Sequence, residues 1–125
     1  MSLVNPLARA KGLGSAKDGT GHWWSQRLTA VALALLTPWF VVFAVGLLGA
    51  DQATVRLAIA QPFTATLLAA FVLSLFWHAQ LGMQVVVEDY IHGALEVVLQ
   101  IAIKFAYALA AIASLLAIGR IVFTA

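Results

Sequence analysis

Three apolar runs, at residues 28–50, 63–87 and 97–124, are each long enough to cross a hydrocarbon core ~30 Å thick as a helix. Transmembrane β-strands would alternate apolar and polar side chains in ~10-residue segments, and residues 67–77 are nearly unbroken apolar sequence instead. The pattern predicts an all-α membrane protein with three transmembrane helices. Composition agrees: 63% of the residues are hydrophobic and 10% are charged, against roughly 45–50% and 25% in soluble domains, and the mean hydropathy is +0.99. Three spans in 125 residues leave no room for a soluble catalytic domain. The chain has no cysteine, which excludes disulfides, thiolate nucleophiles, zinc-thiolate sites and any iron-sulfur cluster ligated by this chain alone.

Charge sets the expected orientation. Arg9, Lys11, Lys17 and Arg27 stand against Asp18 before the first run, whereas the link between the first two runs carries only Arg56 beside Asp51. Positive-inside counting then puts the N-terminus in the cytoplasm and the C-terminus in the periplasm. The three acids in residues 88–96, Glu88, Asp89 and Glu96, weigh little in that count. Residues 1–21, rich in Gly, Ala, Ser and Lys and without an apolar stripe, read as a flexible cytoplasmic tail, and residues 22–125 as the membrane domain. The first run is too long and too late for a signal peptide and is expected to stay in the mature chain. The short basic tail does not read as a mitochondrial transit peptide, so a bacterial inner membrane is expected. Pro62 opens the second span, where its missing N–H is harmless, and Pro38 inside the first predicts a bend at 37–38.

Polar groups are costly in a bilayer, so those that interrupt or flank the spans carry the information. His78 lies some ten residues before the acidic end of the second span, near mid-membrane. A neutral imidazole there serves as an interhelical hydrogen-bonding group, a proton-relay member or an axial haem ligand, and the residues alone leave all three open. Gly82, Val86 and Asp89 follow at helical spacing on the face of His78. A side chain missing at Gly82 admits a flat macrocycle or another helix. Asp89 falls about 16 Å further along the helix, which puts it and Tyr90 at the expected cytoplasmic interface. There Tyr90 can donate to a carbonyl and Asp89 can accept protons, although both also suit a solvated membrane boundary. Trp23 and Trp24 read as an aromatic anchor, and Arg27 as a partner for carboxylates or lipid headgroups. Lys104 reads as a cation reaching back to the headgroups. A haem with two histidine ligands needs a second one at matching depth. His22 precedes the first run and His92 follows the second, so that ligand is expected from a partner chain.

The run His78-Ala79-Gln80-Leu81-Gly82-Met83-Gln84-Val85-Val86-Val87-Glu88-Asp89-Tyr90 resembles the His-x-x-x-Gly and Asp-Tyr motif of the hydrophobic membrane anchors of succinate dehydrogenase, respiratory complex II. Of the two anchors in such a complex, the likeness is to the D-type one in its alphaproteobacterial form. Trp23-Trp24-Ser25-Gln26-Arg27-Leu28-Thr29-Ala30 is similar to the Arg-x-Thr opening of that family's first span, and the likeness covers residues 21–125. Gln26-Arg27 stands where the C-type sister anchor has a His-Arg pair, which favours the D type.

The resemblance implies that His78 is one axial ligand of a b-type haem shared with the C-type sister anchor. It implies that Arg27 and His22 face the haem propionates, and that Tyr90 and Asp89 belong to a ubiquinone-reduction site formed with the sister anchor and the iron-sulfur protein. Succinate would be oxidised on the flavoprotein, so this chain would be non-catalytic alone. Two alternatives remain at this point: the anchor of a quinol:fumarate reductase, and a non-redox structural membrane protein in which His78 makes an interhelical hydrogen bond.

Overall fold

The computed structural model describes residues 13–125, with side chains from Thr20 onward. Most of the expected tail therefore lies outside the described residues. Four helices follow in order: α1 (Leu13–Gly46), α2 (Gln52–Ala60), α3 (Pro62–Tyr90) and α4 (Ala94–Thr124). Three of them are long and apolar enough to cross a membrane, over Thr20–Gly46, Pro62–Tyr90 and Ala94–Thr124.

The three expected spans are present, but their ends differ from the apolar runs for identifiable reasons. Helix α1 is already formed at Leu13, eight positions before the boundary expected at Gly21, because a helix continues into the polar layer as long as its amides find carbonyls. It passes through Pro38 without interruption. It stops at Gly46, although the apolar run continues to Ala50. There Leu47 and Leu48 donate to carbonyls only three residues back, at 3.1 Å each, and Gly49 turns the chain at φ 81°. That conformation is open to glycine at no steric cost.

The link between the first two spans contains α2, which the apolar pattern did not indicate. Asp51 caps it, accepting from the Thr54 amide at 2.9 Å. Gln61 ends it in an extended conformation, as the residue before Pro62 must, and Pro62 then opens α3. Arg56 donates to the Thr124 hydroxyl at 2.9 Å, tying α2 to the end of α4.

Helix α3 is the centre of the fold. Both α1 and α4 pack on it, and among the described residues α1 and α4 make no contact with each other. The three spans thus form an open row, in which α3 keeps part of its surface uncovered. Phe40 of α1 stacks on Phe71 of α3 at 4.5 Å, and Phe76 of α3 meets Tyr107 of α4 at 6.3 Å. Among the described residues every buried apolar side chain is on α3: Ala65, Leu68, Phe71, Leu81 and Val87. So small a core leaves Leu35, Val42, Phe105 and Leu116 exposed, a distribution suited to lipid and partner helices rather than water.

Candidate functional site

His78 stands near the middle of the 29-residue α3, half-buried against α1. Its Nδ1 is 3.0 Å from the hydroxyl of Thr29. Thr29 is only 4% exposed, and its Oγ1 is also 2.8 Å from the Ser25 carbonyl and 3.1 Å from the Gln26 carbonyl. The mid-membrane imidazole is therefore held at one nitrogen by this chain's own first span. Its Nε2 makes no hydrogen bond among the described residues.

Thr29 belongs to a polar stripe. His22 and Gln26 precede it at seven and three positions, on the same face of α1. His22 Nε2 and Gln26 Oε1 are both enclosed and lack a hydrogen-bond partner. Such orphans cost roughly 1–3 kcal/mol each unless a polar group reaches them from elsewhere. Arg27 is on the other side: two positions from Thr29, it lies about 200° around the helix. Its guanidinium sits 5.7 Å from the Trp23 ring centroid, and Trp23 packs edge-on to Trp24 at 5.5 Å. The structure brings His78 together with the Thr29 stripe and does not bring Arg27 to that face. Among the described residues no ion pair joins Arg27 to Asp89 either.

One turn beyond His78, a Cβ built on Gly82 would meet nothing within 4 Å. Among the described residues, Gly82 is therefore not a packing glycine between helices. An imidazole with a free nitrogen, open space over the glycine one turn on, and the unpaired His22 Nε2, a possible donor on the facing helix, suit a flat, carboxylate-bearing macrocycle bound through iron. The residues present thus fit a haem.

Asp89 and Tyr90 form the last turn of α3, with Tyr90 81% exposed. Neither side chain makes a hydrogen bond or ion pair among the described residues. Two acids, Glu88 and Asp89, stand at a helix C-terminus that has no basic residue in its last turn. The helix dipole disfavours each there by about 0.3–1 kcal/mol, so helix stability does not account for them. The chain offers two stations on one helix, an imidazole in mid-span and a phenol with a carboxylate at its end.

The opposite side of α3 carries polar groups that the motifs did not single out. Gln80 donates to Gln84 at 3.4 Å, Gln84 to Glu88 at 3.0 Å, and Gln100 of α4 to the Gln84 carbonyl at 3.0 Å. Spacing by four was the available signal for this ladder, as was the 22-26-29 spacing for the stripe on α1. Next to the ladder, Leu73, Phe76, Trp77, Gln80, Lys104 and Tyr107 line an apolar groove of about 390 Å³. Lys104 is exposed there. The groove lies across α3 from His78, so this groove and the polar site are different places.

The transmembrane-subunit family of succinate dehydrogenase and fumarate reductase matches residues 1–118. The chain belongs to that family. Curated relatives agree. It is 36% identical over 93 residues to the succinate dehydrogenase hydrophobic membrane anchor subunit of Paracoccus denitrificans, covering 74% of this chain and 72% of that protein. To the protein of the same name in Rickettsia bellii it is 36% identical over 113 residues, covering 90% of each. The Rickettsia conorii protein of that name is 40% identical over 86 residues, covering 68% of each. No solved structure gives a significant match. As a succinate dehydrogenase membrane anchor, the chain is a multi-pass protein of the bacterial inner membrane and associates with the other subunits of that complex.

Proposed function

We propose that this anchor supplies one axial ligand, His78, to a b-type haem shared with the sister anchor. In the same reading, the end of α3 forms part of the site where ubiquinone is reduced. The observation that carries it is the state of His78: in mid-span, held at Nδ1 by Thr29 3.0 Å away, with Nε2 unbonded among the described residues, beside the open space at Gly82. The second ligand is assigned to the sister anchor, since His22 stands two turns before Thr29 on α1 and His92 lies beyond the end of α3, neither at the depth of His78. His22, on the Thr29 face with its Nε2 enclosed and unpartnered among the described residues, is assigned to the propionates, whereas Arg27, against Trp23 on the other side of α1, is left to the membrane boundary. A bound haem would supply one-electron storage near the quinone and a link between the two anchors.

The reaction at the site is reduction of ubiquinone to ubiquinol by two electrons and two protons. Electrons arrive from the iron-sulfur protein, after succinate is oxidised on the flavoprotein. This chain handles orientation and protons. The Tyr90 hydroxyl donates to a quinone carbonyl, favouring the oxygen as negative charge develops on it. Asp89, beside it at the helix end, takes protons from cytoplasmic water and holds them within reach of the reduced oxygens. This assignment places the N-terminus and the α3–α4 link in the cytoplasm and the C-terminus in the periplasm, in line with the basic residues before the first span. The succinate-oxidising direction is favoured over fumarate reduction by the names of the relatives, each a succinate dehydrogenase anchor.

The test is a visible absorption spectrum of the detergent-solubilised complex, purified through a tag on this chain, before and after succinate. The reading predicts flavin bleaching and a reduced b-type haem band. An intact complex with flavin and clusters but no haem band overturns the haem assignment.

A further inference from the structure

Among the described residues Thr29 is the one buried polar side chain, and its hydroxyl has three neighbours but a single proton. Two of them, the Ser25 carbonyl at 2.8 Å and the Gln26 carbonyl at 3.1 Å, can only accept. The third, His78 Nδ1 at 3.0 Å, donates or accepts according to the tautomer. If the hydroxyl proton points at Nδ1, one hydrogen bond forms and both carbonyl contacts go unused. If it points at the Ser25 carbonyl, a lone pair on Oγ1 faces the imidazole, and Nδ1–H donates into it. The second arrangement makes two bonds where the first makes one, in a medium without water to compensate. It also leaves Nε2 as the nitrogen with the free lone pair.

From this geometry we infer that Thr29 is a positioning residue for His78: it accepts the Nδ1 proton, holds the imidazole in the tautomer whose Nε2 can bind a metal, and fixes the orientation of the ring. The inference rests on the haem reading above and deepens it. A metal-binding histidine commonly donates its other ring N–H to an acceptor, which orients the ring and raises its basicity. Thr29 provides that acceptor from a different helix. The site is thus assembled only when α1 and α3 pack in register, and the Ser25 carbonyl keeps the hydroxyl pointing the right way.

The test replaces Thr29 in the complete complex with Val, which matches its shape without an acceptor, with Ala, which removes the acceptor without a packing constraint, and with Ser, which restores it. Haem content and the haem midpoint potential are read on assembled complex, neither of which depends on turnover. Thr29→Val and Thr29→Ala are expected to weaken haem retention about 10–100-fold and to raise the midpoint potential of what is retained, because a less basic ligand favours ferric iron less. Thr29→Ser is expected to keep both at the wild-type value. Unchanged potential and retention in Val and Ala, with His78→Ala still abolishing the haem, would overturn the role of Thr29 and leave the ligand assignment standing. An unchanged haem in His78→Ala would remove the ligand assignment and this inference together.

Discussion

Phe40 of α1 and Phe71 of α3 stack at 4.5 Å with their planes 13° apart, on the face of α3 that His78 shares two turns further along. Stacked rings and the Thr29–His78 bond are two points of contact between the same helices, and two points fix a register. Phe71→Ala removes one of them. An aromatic pair contributes about 0.5–1.5 kcal/mol beyond its area, and burial from water contributes little between helices in lipid. The expected result is a lower thermal midpoint of the purified complex, with an unaltered haem spectrum in the fraction that remains assembled.

Tyr90→Phe keeps the ring and removes the hydroxyl. Losing one hydrogen bond to a developing oxyanion lowers kcat/KM for quinone reduction about tenfold or more. The haem band should not change, since Tyr90 lies about 18 Å of helix from His78. Steady-state kinetics with a soluble ubiquinone analogue check this, and unaltered values would remove Tyr90 from the site.

The glycines separate two kinds of role. Gly93 sits at φ 81°, ψ −150°, a conformation essentially confined to glycine, in the short link that reverses the chain between α3 and α4. Gly93→Ala is expected to destabilise the anchor by about 1–3 kcal/mol in a detergent unfolding titration. Among the described residues, a Cβ at Gly82 meets nothing outside its own helical turn within 4 Å. Any loss of haem in that variant would therefore come from the cofactor or the sister anchor, and a loss is what the haem reading predicts.

Asp51 offers a pH test of the link between the first two spans. Hydrogen bonds from Thr54, side chain first and backbone amide second, hold its carboxyl below the usual carboxylate range. A value lowered in the folded state means that the cap contributes fully above the ordinary carboxylate pKa and is lost as pH falls through the lowered one. Hydrogen exchange over residues 52–60, corrected for intrinsic rates, is expected to show α2 protected at neutral pH and frayed in acid. Asp51→Asn should remove that pH dependence.

The sequence announces some of these features and hides others. The three spans were, because ~20 consecutive apolar residues have few other fates. Their ends were not: hydropathy marks what lipid tolerates, whereas Gly49 and the bonds of Leu47 and Leu48 decide where α1 stops. Helix α2 escaped because nine residues of mixed polarity carry a weak periodic signal. His78 stood out as an ionisable group in mid-span. Its partner did not, since Thr29 looks like any hydroxyl at a span entrance until the packing of α1 on α3 brings it within 3.0 Å. The separation of Arg27 from the Thr29 face follows from helical geometry alone, but it acquires meaning only once Thr29 is known to meet His78.

The most direct measurement on the central claim is haem content, as the pyridine haemochrome, in complex assembled with His78→Ala beside wild type. Haem is expected in the wild-type complex and its loss, or near loss, in the variant, with flavin and iron-sulfur clusters retained. Equal haem in both would contradict it and return His78 to the role of a hydrogen-bonded packing residue between α1 and α3.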